Sequence, residues 1–182
     1  MSPFRPDLID LWMFRVPVTG KALDPALDPA LDPAIDPAIE FLLLRRAKDD
    51  DILPGLWQGV SGGLDAGETA GEAALRELRE EAGFGPDEIE GFYHLDQVNQ
   101  FLEPSLGGVV TAAVFAVRLR PGREPVLSNE HDDYVWVSPA QALERAVWPA
   151  YRESIRRIVE NLLDPERAVW FELTLDGARA GR

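Results

Sequence analysis

The apolar positions of the chain fall into short runs with strand character, separated by three stretches of helical spacing. Leu8 to Val18 mixes apolar and aromatic side chains and predicts a first strand. Ile39 to Leu44 is a compact apolar run and predicts a second. Leu56 to Val60 is a shorter semi-apolar piece, closed by a Ser61-Gly62-Gly63 turn. Ile89 to Leu95 predicts a strand, Asp96 to Gly108 a loop, and Val109 to Leu119 the clearest strand of all, apolar and β-branched. Tyr134 to Val137 adds a short strand, in which Tyr134 and Trp136 alternate with Val135 and Val137. Only one of those pairs is expected to face a core, leaving the other to line a pocket. Val169 to Leu175 alternates weakly and reads as an edge strand or a C-terminal arm.

Helical spacing is strongest from Thr69 to Ala82. Thr69 followed by Glu72 makes a capping box, Ala74, Leu75, Leu78 and Ala82 share an apolar face, and Gly83 stops the helix. Glu72 and Arg76, four apart, should pair. Pro139 to Ala146 and Ala150 to Leu163 predict two further helices. Strands outnumber helices and no regular βαβ repetition appears, so a doubly wound dinucleotide fold is disfavoured.

One stretch fits neither period. Between residues 20 and 38 the unit LDPA recurs and gives way to IDPA. Proline every fourth residue removes backbone donors and predicts an extended, turn-rich loop. The rest reads as a single domain over 1–182, with a C-terminal arm at 165–182 whose Trp170 and Phe171 could exchange across a homodimer.

Composition narrows the chemistry. There is no cysteine and there are only two histidines, so thiolate sites are excluded and a histidine-rich zinc site is disfavoured. Any metal should be hard and oxygen-ligated, Mg²⁺ or Mn²⁺. A formal charge of -14 disfavours nucleic-acid and anionic-membrane binding. No apolar stretch is long enough to span a bilayer, and the N-terminus lacks a signal-peptide pattern, so a cytoplasmic location is expected.

The helix that begins after Thr69 carries Glu77, Glu80 and Glu81, three and four residues apart, so all three can point toward one region. Clustered like charges repel, and a divalent cation reverses that sign. On spacing alone a solvated acidic face is the stronger reading. The full segment GGLDAGETAGEAALRELREEAGF decides between them, because it resembles the signature of the Nudix hydrolases at Gly62, Glu68, Arg76, Glu77, Leu78, Glu80, Glu81, Gly83 and Phe84. Seven charged or glycine positions would match together by chance on the order of 10⁻⁸ times per start site.

That resemblance implies an α/β/α sandwich with a mixed β-sheet. It also implies Mg²⁺-dependent hydrolysis of a small phosphorylated substrate, with Mn²⁺ as a substitute. Glu77, Glu80 and Glu81 would be metal ligands. Arg76 would hold a box glutamate, Gly62 and Gly63 would let the loop approach the helix, and Glu68 would support the loop. Further on, SNEHDDYVWV resembles a glutamate-histidine step before an aromatic strand in the bacterial dihydroneopterin triphosphate pyrophosphatases, where the glutamate acts on metal-bound water. Glu130 is the matching candidate for ligand or base, and His131 beside it reads equally well as a surface loop residue. LLLRRAKDD, LWQGVSGG and VWPAYRESIRRIV resemble the same branch. From them Arg45 or Arg46 would contact phosphate, and Trp57 would pack in the core or stack on a ring. A pterin triphosphate leads as substrate, with diadenosine polyphosphate its closest rival.

Overall fold

The computed structural model describes residues 6–17, 39–49, 53–104, 107–176 and 180, so the LDPA repeats lie outside the described residues. The strands are β1 (Leu8–Arg15), β2 (Glu40–Arg46), β3 (Trp57–Gln58), β4 (Val60–Gly63), β5 (Ile89–Glu103), β6 (Gly108–Leu119), β7 (His131–Val137) and β8 (Glu172–Leu173). The helices are α1 (Ala70–Ala82), α2 (Pro139–Arg145), α3 (Pro149–Leu162) and α4 (Pro165–Ala168). The strands form one mixed sheet whose main path runs β3-β2-β1-β6-β5-β8. β1 and β6 are parallel; the other pairings are antiparallel.

Alternation along β1 explains the layers. Ile9, Leu11 and Met13 meet Ala73, Ala74, Leu78 and Ala82 of α1. Trp12 and Phe14 point the other way and meet Tyr151, Ile155 and Ile158 of α3 and Ala142 of α2. The result is the α/β/α sandwich expected, with the sheet covered on both sides. Both faces are therefore core, which corrects the expectation that only one pair of β7 side chains would be packed. Val135 and Val137 pack toward α2 and α3, and Tyr134 and Trp136 pack on the α1 side.

β1 does not keep one neighbour along its length. Met13 to Arg15 pair with β2, whereas Leu8 to Leu11 pair with β4. The sheet thus opens beside Leu11, with β4 on one lip and β2 on the other. Ser61-Gly62-Gly63 is a strand at this opening rather than a turn, because its backbone bonds to Leu8, Ile9 and Asp10. Among the described strands β4 pairs only with β1, so its other edge faces the opening.

One further expectation changes. Residues 96–103 continue β5 instead of forming a loop. Asp96 takes a φ of 50° and the register shifts between His94 and Val98, so an irregularity lets the strand bend and go on pairing with β6. Exposed Val98 and Leu102 blur the apolar pattern there. The last apolar segment contributes α4 and the two-residue edge strand β8, which bonds to Phe92 and Tyr93 of its own chain, with Phe171 against His94.

Candidate active site

The capping box forms as expected, the Thr69 hydroxyl accepting from Glu72 N while the Glu72 carboxylate accepts from Thr69 N at 2.8 Å. Gly83 closes the other end with a left-handed φ of 73°, its N–H donating to Arg79 O. The helix is pinned by Ala73, Ala74, Leu78 and Ala82, all buried. Burying the Leu78 side chain alone contributes about 1.5–3 kcal/mol.

With Glu72 used as a cap, the expected Glu72–Arg76 pair does not form. Arg76 turns to the other carboxylates. It donates through Nε and Nη2 to Glu68 at 2.9 and 3.0 Å, through Nη1 to Glu77 at 2.7 Å and Glu80 at 3.2 Å, and through Nη2 to the Gly63 carbonyl at 2.8 Å. One guanidinium thus ties the loop, β4 and the helix together. Glu68 also accepts from Asp65 N at 2.9 Å, fixing the turn before the helix. Gly62 lies against Glu77 so closely that a Cβ there would overlap the Glu77 carboxylate, which explains glycine at this position.

Glu81 stands apart. It is 2% exposed and neither carboxylate oxygen has a hydrogen-bond partner of ordinary geometry. Burial, then the negative charges of Glu130 and Glu77, push its pKa up to about 9. The Ser61 N–H and Arg46 act in the opposite sense. His131 Nε2 lies 3.5 Å from its carboxylate. His131 is therefore not a surface loop residue but a buried one at the start of β7, opposite Arg46.

Glu130 reaches this region because its loop is stitched to the end of α1. Val126 N donates to Ala82 O at 2.9 Å and Ser128 N to Glu81 O at 3.2 Å, and on the other side Ala47 N donates to Glu130 O at 2.8 Å. No periodicity in the sequence encodes these backbone bonds.

The two arginines of β2 separate. Arg46 is among the groups that act on Glu81. Arg45 is engaged by Asp132 at 2.6 Å and Asp133 at 3.4 Å, with its guanidinium 5.5 Å from the Trp57 ring centre. Trp57 is half-buried and packs against the α3-side core. Arg46 thus borders the carboxylates, while Arg45 and Trp57 sit further out.

The sequence reading also missed a polar group on the α3 side of the opening. Asp10 and Asn99 are buried, Asn99 Nδ2 donating to Asp10 at 2.7 Å. Their neighbour Tyr151 has its pKa raised by burial and by Asp10 and Glu81, with Arg46 opposing. Tyr151 thus feels charges on both sides of the sheet. A lone aspartate in an apolar strand was the available signal.

The NUDIX domain family model matches residues 34–158. The chain belongs to the Nudix family. This domain carries hydrolase activity on phosphoanhydride substrates. Among related proteins, the chain is 37% identical over 117 residues to an octanoyltransferase of Myxococcus xanthus, a match spanning 64% of this chain but 31% of that protein. The chain therefore spans about a third of that relative's length, and octanoyl transfer is not carried over with the shared segment. Among solved Nudix-like structures, a C. elegans Ap4A hydrolase complex superposes with a TM-score of 0.63 at 22% identity, covering 84% of this chain and 94% of that one. The E. coli dihydroneopterin triphosphate pyrophosphohydrolase superposes with a TM-score of 0.57 at 23% identity, covering 84% and 97%. At these identities the likeness establishes the fold, and no single Nudix branch is favoured.

Nudix proteins generally use Mg²⁺. Among the described residues no three carboxylate or imidazole groups are gathered as a metal cluster. The reason is visible in the ion pairs: Glu77 and Glu80 are drawn to Arg76, while Glu81 faces Glu130 and His131. The donor set nonetheless fits a hard cation, because Glu81 offers two buried oxygens with no hydrogen bond of ordinary geometry, beside further negative charge from Glu130. No helix among the described residues is long and apolar enough to cross a membrane.

Proposed function

We propose that this chain is a Mg²⁺-dependent pyrophosphohydrolase of a small nucleoside-like diphosphate, with a pterin triphosphate as the leading substrate. The observation that carries this reading is the buried Glu81 carboxylate, without a hydrogen bond of ordinary geometry and under the influence of Glu130 and Arg46. A buried carboxylate beside further negative charge is unfavourable unless a cation or a proton compensates it.

In this reading Glu77, Glu80 and Glu81 hold the metal, for which Mn²⁺ substitutes. When bound, it neutralises phosphate oxygens and lowers the pKa of water. Arg76 keeps Glu77 and Glu80 in place, and Gly62 and Gly63 let β4 lie close to them. Arg46 binds a phosphate from the β2 side of the opening. Arg45 and Trp57 contact the outer part of the substrate. Glu130 accepts a proton from the attacking water as its oxygen bonds to phosphorus and the anhydride P–O bond breaks. A monophosphate and pyrophosphate, or a second phosphorylated fragment, leave. The pterin preference is supported by the Glu130-His131 step ahead of the aromatic β7 and by the LWQGVSGG approach to the box.

A substrate panel with Mg²⁺, products identified by mass, tests the proposal. It includes dihydroneopterin triphosphate, diadenosine tetraphosphate, ADP-ribose and ordinary and oxidised nucleoside triphosphates. Pyrophosphate released from the pterin alone supports the leading substrate; turnover of diadenosine tetraphosphate alone moves the assignment to its rival. No hydrolysis of any member would point to a nucleotide-binding protein that has kept the fold without the chemistry. On the productive substrate, Glu130→Gln lowers kcat by roughly 10²-fold, the scale of a lost general base, with the thermal midpoint unchanged. Full activity in that variant excludes Glu130 as the base.

A further inference from the structure

Asp10 is a buried charged group that the proposed reaction does not use. It lies in β1, between the core positions Ile9 and Leu11, and its side chain is on the α3 side of the sheet with Trp12. It is 3% exposed. Its cross-strand partner is Ser61 of β4, directly opposite in the antiparallel register, and the Ser61 hydroxyl favours its anion. Residues opposite one another in a ladder share a face, so this contact follows from the register.

Ser61 has two ends with different duties. Its side chain points to the α3 side and is held by Asp10. Its backbone N–H faces Glu81, whose anion it favours. The next residue, Gly62, touches Glu77. The two-residue step Ser61-Gly62 thus abuts two of the three box glutamates. β4 is short and, among the described strands, bonded only to β1, so its position depends on that ladder, on Arg76 at the Gly63 carbonyl and on what holds Ser61.

Asp10 is itself anchored from behind. Asn99 of β5 donates to it at 2.7 Å. Gln97 Nε2 orients Asn99 by donating to its Oδ1 at 2.7 Å, and the same nitrogen lies 3.1 Å from both Ala150 O and Ser154 Oγ of α3. A chain of polar contacts therefore runs from α3 through β5 and β1 to the edge of β4. Burial pushes the Asp10 pKa up to about 6, so at neutral pH it is an anion whose donors are Asn99 and Ser61. Keeping an anion buried is costly, and a neutral residue would serve packing alone better.

We propose that Asp10 is a positioning residue, which through the Ser61 hydroxyl fixes the backbone of β4 and thereby the orientation of the Glu81 carboxylate on the other side of the sheet. This rests on the reading of Glu81 as a metal ligand. Contacts one step behind a ligand are worth about 10–100-fold in metal affinity or activity.

Mn²⁺ binding to the full chain, followed by calorimetric titration, reads the link without turnover. Asp10→Asn and Ser61→Ala each weaken Mn²⁺ binding about 10-fold, and the double variant loses no more than either alone, because both break one chain of contacts. Ser61→Thr, which keeps the hydroxyl and suits a strand, restores binding. In turnover the loss appears in kcat with KM unchanged. Asp10→Asn removes a buried charge and stays folded, and the milder Ser61→Ala stands in for it should it not. Glu81→Gln is the reference. If it leaves Mn²⁺ binding unchanged, the metal reading itself fails. If it abolishes binding while Asp10→Asn and Ser61→Ala bind as the unaltered chain does, the positioning role fails and the metal reading stands. Additive losses, or a loss confined to KM, also overturn the proposal.

Discussion

Replacing Glu81 by glutamine lowers Mg²⁺-dependent pyrophosphate hydrolysis by at least ~10²-fold and leaves the fold standing. The two halves of this result have separate causes. Activity falls because the amide cannot supply two anionic oxygens to a hard cation, and no neighbouring group replaces them at that depth. Glu77 is held by Arg76 and Glu80 is half exposed beside it. The fold survives because Glu81 with its pKa near 9 is a neutral acid at pH 7 in the metal-free chain. Glutamine matches its shape and its lack of charge. A thermal midpoint within a few degrees of the unaltered chain, in the absence of metal, checks the second half. Unchanged turnover sinks the role of Glu81 as ligand. Collapse of the fold would show that the carboxyl group itself, rather than its charge, supports the interior. Glu81 also gives up a proton when a cation binds, so binding acidifies an unbuffered solution and strengthens as pH rises.

How much of this site could be read from the chain depended on whether its order is local. The helix from Ala70 to Ala82, its Thr69 cap, its Gly83 stop and its apolar stripe follow from spacing within a few turns, and all are present. The separation of its glutamates does not follow from spacing. Three carboxylates on one helical surface are equivalent in sequence, and Arg76 breaks that equivalence by taking two of them. Arg76 is free to do so because Glu72, its expected partner, is spent on the cap. The remaining errors are long-range. Ser61-Gly62-Gly63 has the composition of a turn and becomes a strand only because β1 lies beside it. His131 sits in a polar segment and is buried only because β7 adds to β2 opposite Arg46. Residues 96–103 look like a loop because their strand bends at Asp96 and exposes Val98 and Leu102. Asp10 stood out only as a lone charge in an apolar strand, and its partners Ser61 and Asn99 are distant in sequence.

Arg76→Met has the largest expected effect on stability, about 3 kcal/mol. Methionine keeps much of the stem and the helix propensity, so the loss isolates the guanidinium. That group makes contacts with Glu68, Glu77, Glu80 and the Gly63 carbonyl, all between 2.7 and 3.2 Å. The side chains of Glu68 and Glu77 are each 13% exposed, so water does little for them once the cation is gone. Removing one partner of a fully buried pair costs about 3–5 kcal/mol; Arg76 is 20% exposed, which places this case at the lower end. For a chain of this length that is a fall in Tm of roughly 6–12 °C. Arg76→Lys restores the charge but not the planar fork that grips both Glu68 oxygens, so it recovers only part of the loss. Added Mn²⁺ should rescue Arg76→Met in part, because a cation near Glu77 and Glu80 supplies the missing positive charge. A Tm for Arg76→Met within 2 °C of the unaltered chain would mean that these ion pairs are surface decoration. The arrangement of the box carboxylates would then have to be attributed to the helix and to Gly62 alone.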